Sequence, residues 1–250
     1  MFESPAIPQS MNPTALVTGG AIRVGRAISL GLAGAGYDIV MTFRTSAGPA
    51  EEARSLIEEL GRRCTLVKAD LGDPGAIIAL GTQVRSEHSR LDVLINSAAN
   101  FLPTSLLDID AEEWNEVMHV NLRAPHLMVR EFADLLRESH GSVVNIADHM
   151  GLRPWVKYAH HSVSKAGLIH LTRIQARAMA PHVRVNAVAP GLVFPPPGMD
   201  GEALAAAIDA TMLKRAGTAD DVAEAVLYLA RAEYVTGHVL VVDGGREGSD

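Results

Sequence analysis

Gly19, Gly20 and Gly25 stand in the run T-A-L-V-T-G-G-A-I-R-V-G-R-A-I, residues 14–28, which reads as an apolar strand, a glycine turn and a helix start. That order aims backbone N–H groups and a helix N-terminus at one point, where a pyrophosphate can sit. Glycine serves there because a Cβ would hold the backbone away from the phosphates. The next apolar segment, residues 37–43, runs into Arg44-Thr45-Ser46. A carboxylate at that place binds a free ribose 2′-hydroxyl, whereas a cation accommodates a 2′-phosphate. Arg44, Thr45 and Ser46 therefore predict NADP(H) rather than NAD(H).

The segments around these residues alternate in type along the whole chain. Strands are predicted over residues 15–18, 37–43, 64–69, 91–95, 142–147, 183–188 and 239–242, and helices over 23–35, 48–60, 73–88, 111–118, 121–138, 159–179 and 219–230. L-D-V-L-I and S-V-V-N-I are apolar on both faces, as central parallel strands are. Seven strands alternating with helices predict an α/β fold of one doubly wound Rossmann domain, its sheet mostly parallel and covered by helices on both faces. Residues 1–12 read as a loose arm, and 13–250 as the single NADP-binding domain that also carries the substrate site. P-G-L-V-F-P-P-P-G-M, residues 190–199, is too proline-rich for a helix interior and reads as a loop or lid beside the site.

Composition narrows the partners. The 250 residues are 48% hydrophobic and 20% charged, ordinary globular usage. A net charge of −7 gives no reason to expect nucleic acid or an anionic membrane. Cys64 is the single cysteine, so no intrachain disulfide forms. No apolar run reaches transmembrane length and the N-terminus lacks a secretory pattern, so a cytoplasmic protein acting on a small molecule is expected. His160-His161 looks like a metal pair, but adjacent helix residues point about 100° apart and no ligand cluster accompanies them, so no metal site is expected.

Together the motifs resemble the short-chain dehydrogenase/reductase family over nearly the full length. They are T-G-G-A-I-R-V-G (18–25), A-D-L (69–71), N-S-A-A (96–99), N-L-R-A-P (121–125), S-K-A (164–166), R-V-N-A-V-A-P-G (184–191), and V-T-G (235–237) with V-D-G-G (242–245). Within the family, Arg23 in the glycine turn, Arg44 after the second strand, Asp148 and Phe101 look like pteridine reductases and related dihydropterin reductases, where the aromatic ring stacks on the pterin. The resemblance implies that Gly19, Arg23, Val24 and Gly25 hold the cofactor phosphates. Asp70 and Leu71 would border the adenine, with Asn96 and Ala98 along the ribose. Lys165 would bond the nicotinamide ribose, and Pro190 and Gly191 would pass under the nicotinamide. Asn121 would distort its helix and position a water. Taken singly, Asp70 also reads as a strand-end cap, Asn121 as a helix N-cap and Pro190-Gly191 as a turn.

One position departs from the family. Its proton donor is a tyrosine four residues before the helix lysine, and here that place holds His161. Tyr158 stands seven residues before Lys165, roughly 10 Å along the axis, too far to pair with it. A carboxylate beside an imidazole favours imidazolium and fixes its orientation, so Asp148 and His161 form a candidate general acid that protonates substrate as hydride arrives. Asn121, Asp148, His161 and Lys165 are the expected catalytic set, with Phe101, Tyr158 and Phe194 as substrate contacts and Trp155 and Met199 as further walls. The expected activity is NADPH-dependent reduction of a C=N or C=O of a pterin-like or small carbonyl substrate. The other reading is an NADP(H)-binding sensor or interaction protein whose catalysis is lost with the tyrosine. The resemblance also implies a homotetramer or homodimer built through helices 121–138 and 159–179.

Overall fold

The computed structural model describes residues 12–195 and 199–246. The expected arm, 1–12, therefore lies outside the described residues except for Asn12, as do residues 196–198 of the expected lid. Strands β1 (Thr14–Val17), β2 (Asp38–Phe43), β3 (Cys64–Lys68), β4 (Val93–Asn96), β5 (Ser142–Ile146), β6 (Arg184–Pro190) and β7 (Val239–Val242) form one seven-stranded sheet. Its order is β3-β2-β1-β4-β5-β6-β7, and every neighbouring pair is parallel. The helices are α1 (Arg23–Gly34), α2 (Ala47–Glu59), α3 (Pro74–Glu87), α4 (Ala111–Met118), α5 (Ala124–Glu131), α6 (Ala133–Glu138), α7 (Ala159–Met179), α8 (Gly201–Asp209) and α9 (Ala219–Arg231).

Strand side chains alternate between the two faces. Ala15, Val17, Ile39 and Met41 face one layer, with Ile28 and Leu32 of α1, Ile57 of α2 and Val226 of α9. Leu16 and Val40 face the other, with Ile77 and Leu80 of α3, Phe132 beyond α5 and Met179 of α7. Burial of each such large side chain contributes roughly 1.5–3 kcal/mol, so two apolar layers clamp the sheet and fix where its strand ends emerge. The chain leaves β1 toward β2 on one side and reaches β4 on the other. Between β1 and β4 the strand order reverses, which opens a crevice at the carboxyl ends of the strands.

Three local features differ from the sequence expectation. The helix expected over 121–138 is divided: a π-helical turn, His119–Arg123, joins α4 to α5, and Phe132 separates α5 from α6. α8 is additional; its signal is Asp200, whose carboxylate accepts from Ala203 N–H at 2.7 Å, with Glu202 in the first turn. β6 runs to Pro190, two residues beyond the expected end, because Ala189 and Pro190 still pair with Val241 and Val242.

Candidate active site

A cavity of about 440 Å³ occupies the crevice. At one end is the turn between β1 and α1. Gly19 has φ +62°, and a Cβ there would stand 3.1 Å from Ala98 Cα. A Cβ on Gly25 would meet the Gly19 carbonyl oxygen at 2.2 Å. Ser29 Oγ ties the turn to the helix by donating to Gly25 O at 3.0 Å and Gly20 O at 3.3 Å. Arg23 opens α1 with φ +52°, a left-handed conformation costing a non-glycine residue roughly 1–2 kcal/mol. No side chain caps α1, so its first N–H groups face the cavity with the positive end of the helix dipole. Gly19, Arg23, Val24 and Gly25 all line the cavity, as do Arg44, Thr45 and Ser46 where the chain leaves β2. Arg44 is solvent-exposed.

The middle of the cavity is bordered by Asp70, Leu71, Ala98, Pro190 and Gly191. Asp70 serves as a cap as well, since its Oδ1 accepts from Gly72 N–H at 2.9 Å. Gly191 is a close approach and not merely a turn: a Cβ there would stand 2.6 Å from Asp243 Cβ. Asn96 departs from its expected place along the ribose. It does not line the cavity. Its amide donates to Asn145 Oδ1 at 2.8 Å, and Asn145 donates to Thr172 Oγ1 at 2.9 Å. Asn96 thus ties β4 to β5 and α7 beneath the site, because the alternation along β4 puts its side chain on the sheet face it shares with its register partner Asn145, under α7.

At the other end stand Asp148, His161 and Lys165. Asp148 begins the 3-10 turn His149–Gly151 and accepts from Met150 N–H at 2.7 Å. That turn lies tight on α7: Ser162 Oγ donates to Met150 O at 2.6 Å, and a Cβ on Gly151 would stand 2.7 Å from the Lys165 carbonyl carbon. The close approach brings Asp148 Oδ2 to 3.5 Å from His161 Nε2. Burial pushes the Asp148 carboxyl up, but His149, His161 and the Met150 N–H outweigh it and hold the group well below the usual carboxylate range. Asp148 is therefore ionised at neutral pH and is not itself an acid.

His161 is 3% exposed. Its Nδ1 lies 3.2 Å from Asn100 O and 3.3 Å from Asn121 Nδ2. Asn121 spends both amide hydrogens on Asn100 O (3.0 Å) and Ser164 Oγ (3.2 Å), while its Oδ1 accepts from Asn100 N–H at 2.8 Å. The hydrogen between His161 and Asn100 therefore belongs to Nδ1, which donates to the carbonyl. Nε2 is left as the nitrogen free to exchange a proton, beside a carboxylate and in the cavity wall. Asn121 sits in the π-helical turn, so the expected helix distortion is present, yet the residue does not line the cavity. It works from behind, clamping residue 100 to His161. π-turns of this kind recur at functional sites.

Lys165 is buried and donates to Ile146 O at 2.7 Å. Burial pushes its ammonium down to about 8, with Asp148 pulling the other way. This has a stability consequence. Between about pH 8 and 10.5 the unfolded chain keeps a proton that the folded chain has released, so this lysine adds stability as pH rises, by up to about 1.4 kcal/mol per pH unit. Cys64 has the opposite sign: burial pushes its thiol from 9.0 to about 12, so stability falls above pH 9. Urea denaturation of the ligand-free protein across pH 8–9 is expected to show an upward slope that Lys165→Met removes.

Of the expected substrate contacts, Phe101 and Phe194 line the cavity, as do Trp155 and Met199. Phe194 carries the Arg23 guanidinium 4.8 Å above its ring. Tyr158 does not reach the cavity. It is 4% exposed and stacks behind Phe101 at 4.4 Å, because it caps α7 where the chain turns inward. Cavity residues that the sequence did not single out include Asn100, His149 and Arg246. Only the 3-10 turn brings His149 round to the wall, and only the chain beyond β7 brings Arg246, whose guanidinium lies 5.3 Å from the Trp155 ring. His160 points away and meets Glu113 Oε1 at 3.0 Å. Among the described residues no cluster of His, Cys, Asp or Glu suits a metal ion, and no helix is long and apolar enough to cross a membrane.

Residues 20–247 match the family model described as enoyl-(acyl carrier protein) reductase. The chain is 31% identical over 244 residues to the 3-oxoacyl-[acyl-carrier-protein] reductase FabG of Staphylococcus aureus, covering 94% of this chain and 98% of that protein. Among solved structures it is similar to acetoin dehydrogenase YohF from Salmonella typhimurium (TM-score 0.87, 27% identity, 96% and 98% of the two chains). A blue fluorescent protein from a metagenomic library, solved in complex with NADPH, is alike to the same degree (TM-score 0.87, 29% identity, 94% and 97%).

Proposed function

The chain belongs to the short-chain dehydrogenase/reductase family, and on that premise we propose that it is an NADPH-dependent reductase of a C=O or C=N bond, with His161 as proton donor. The observation that carries this reading is His161 Nε2 beside ionised Asp148 in the wall of the cavity whose far end is the glycine turn and Arg44. The cavity residues fit the dinucleotide. A cradle that a Cβ on Gly25 would fill, the uncapped start of α1 and the exposed Arg44 suit a diphosphate and a 2′-phosphate. Gly19, Arg23, Val24, Thr45 and Ser46 complete that end. Asp70, Leu71 and Ala98 would flank the nucleoside, and Lys165, Pro190 and Gly191 would border the nicotinamide.

NADPH, when bound, supplies the hydride. Asp148 accepts from Met150 N–H and stays anionic beside Nε2, so a proton at Nε2 would face a negative charge 3.5 Å away. That proton passes to the substrate oxygen or nitrogen, and His161 keeps its Nδ1–H on Asn100 O. Asn121 holds Asn100 and His161 in register. Phe101 and Phe194 wall the substrate. Small carbonyl compounds are the first substrate class, since FabG and YohF are named for carbonyl and carbinol chemistry. A dihydropterin is the second, resting on the face of Phe101 that Tyr158 leaves uncovered. The protein is read as cytoplasmic. The outer faces of residues 121–138 and α7, where Val163 and Ile174 stay exposed, are the surfaces for a homodimer or homotetramer.

Two measurements test this. NADPH oxidation is followed over 3-ketoacyl thioesters, diketones, quinones and dihydropterins. Turnover of at least one is expected; tight NADPH binding with turnover of none would assign a sensor instead. Calorimetry is expected to show NADPH bound more tightly than NADH, and Arg44→Ala to cost NADPH about tenfold or more in affinity while leaving NADH unchanged. A wild-type preference for NADH would refute the cofactor assignment.

A further inference from the structure

Asp148 has a second imidazole. His149 Nδ1 lies 3.1 Å from Asp148 Oδ1, while His161 Nε2 lies 3.5 Å from Oδ2. The carboxylate thus stands between two rings, one on each oxygen. His149 is 6% exposed and, like His161, forms part of the cavity wall. Neither of its ring nitrogens makes a well-aligned hydrogen bond within the protein. The ring is held edge-on against Trp155 at 5.4 Å, so it cannot swing away from the carboxylate without unpacking. A buried imidazole with no aligned partner is costly unless a small reorientation toward Asp148 or a bound molecule satisfies it.

On the reading of His161 as proton donor, we propose that His149 is a positioning and tuning residue of the same site: it shares the ionised Asp148 with His161, so that the two imidazoles are coupled through the carboxylate and His149 sets the pH at which His161 gives up its proton. Each proton on His149 neutralises part of the charge that Asp148 offers to His161. The other charges that face the carboxylate are Lys165 from α7 and Arg246 from the segment after β7, the latter also under the influence of Asp243. Both cations weaken the hold of Asp148 on His161 in the same sense. A further proton on His149 thus acts on a carboxylate already partly neutralised, and its effect on His161 is a shift in pH midpoint rather than an all-or-none loss.

The test is a pH titration of the ligand-free protein by NMR of the imidazole signals, together with the pH profile of kcat. Wild type is expected to show two coupled steps, which belong to the pair and not to either ring. His149→Gln is expected to leave one step, with the His161 midpoint raised by about one pH unit and the alkaline limb of kcat raised with it. His149→Asn serves if the glutamine variant fails to fold. In an Asp148→Asn background His149→Gln is expected to move nothing further, since the shared group is gone. An unchanged His161 titration in His149→Gln, or an equal shift with Asp148 absent, overturns the proposal. The NMR arm needs no turnover. A protein that never reduces any substrate would refute the reductase while the coupling still stood or fell on its own.

Discussion

His161→Ala is expected to lower kcat for carbonyl reduction by about 10²–10⁴-fold while leaving NADPH affinity unchanged. That range is what a positioned general acid contributes. The separation of the two readouts follows from the geometry. His161 meets Asn100, Asn121, Asp148 and Phe101, the last edge-on at 4.8 Å, whereas the glycine turn and Arg44 lie at the opposite end of the cavity. Asp148, left ionised and without the His161 ring, has no proton of its own to lend. His161→Tyr is the instructive companion. A phenol reaches further than an imidazole, and this variant is expected to preserve or raise activity if the cavity keeps the family geometry. Single-turnover kinetics with saturating NADPH reads the chemical step directly. An alanine variant as fast as wild type across the pH range would remove His161 from the mechanism.

Gly25→Ala is expected to abolish measurable NADPH binding and to destabilise the fold by about 1–3 kcal/mol, the usual cost of overpacking. The added Cβ would stand 2.2 Å from Gly19 O, 3.0 Å from Gly19 C and 3.1 Å from Gly20 Cα. All three are backbone atoms, so relief requires the glycine turn itself to move off the start of α1. The same substitution at Gly34, in the last turn of that helix, meets nothing within 4 Å. There alanine is expected to stabilise by about 0.5–1 kcal/mol through helix propensity and reduced freedom of the unfolded chain, with affinity unchanged. Thermal melts and calorimetry on the pair test both signs. Equal effects at the two positions would mean that the turn is not the phosphate cradle.

The sequence by itself determined the architecture and brought the glycine turn and Arg44 to one end of a shared cavity. Strand and helix periods are local properties, and so is the clustering of Gly19, Arg23, Gly25 and Arg44 at strand ends. In a parallel sheet every such end opens on the same edge, so residues placed there by local signals converge without further information. The substrate end is different. Whether a side chain faces the cavity depends on how neighbouring segments pack, and that is set by close approaches remote in sequence. Gly151 on Lys165 brought Asp148 to His161 and turned His149 in beside them. The stacking of Tyr158 on Phe101 took the tyrosine out of the cavity, and the side chain of Asn96 went to Asn145 rather than to the site. Asn121 kept its helix distortion, but only packing showed that it acts on Asn100 and His161 from behind. Those placements are choices among faces and rotamers of similar local energy, and only the completed tertiary contacts separate them.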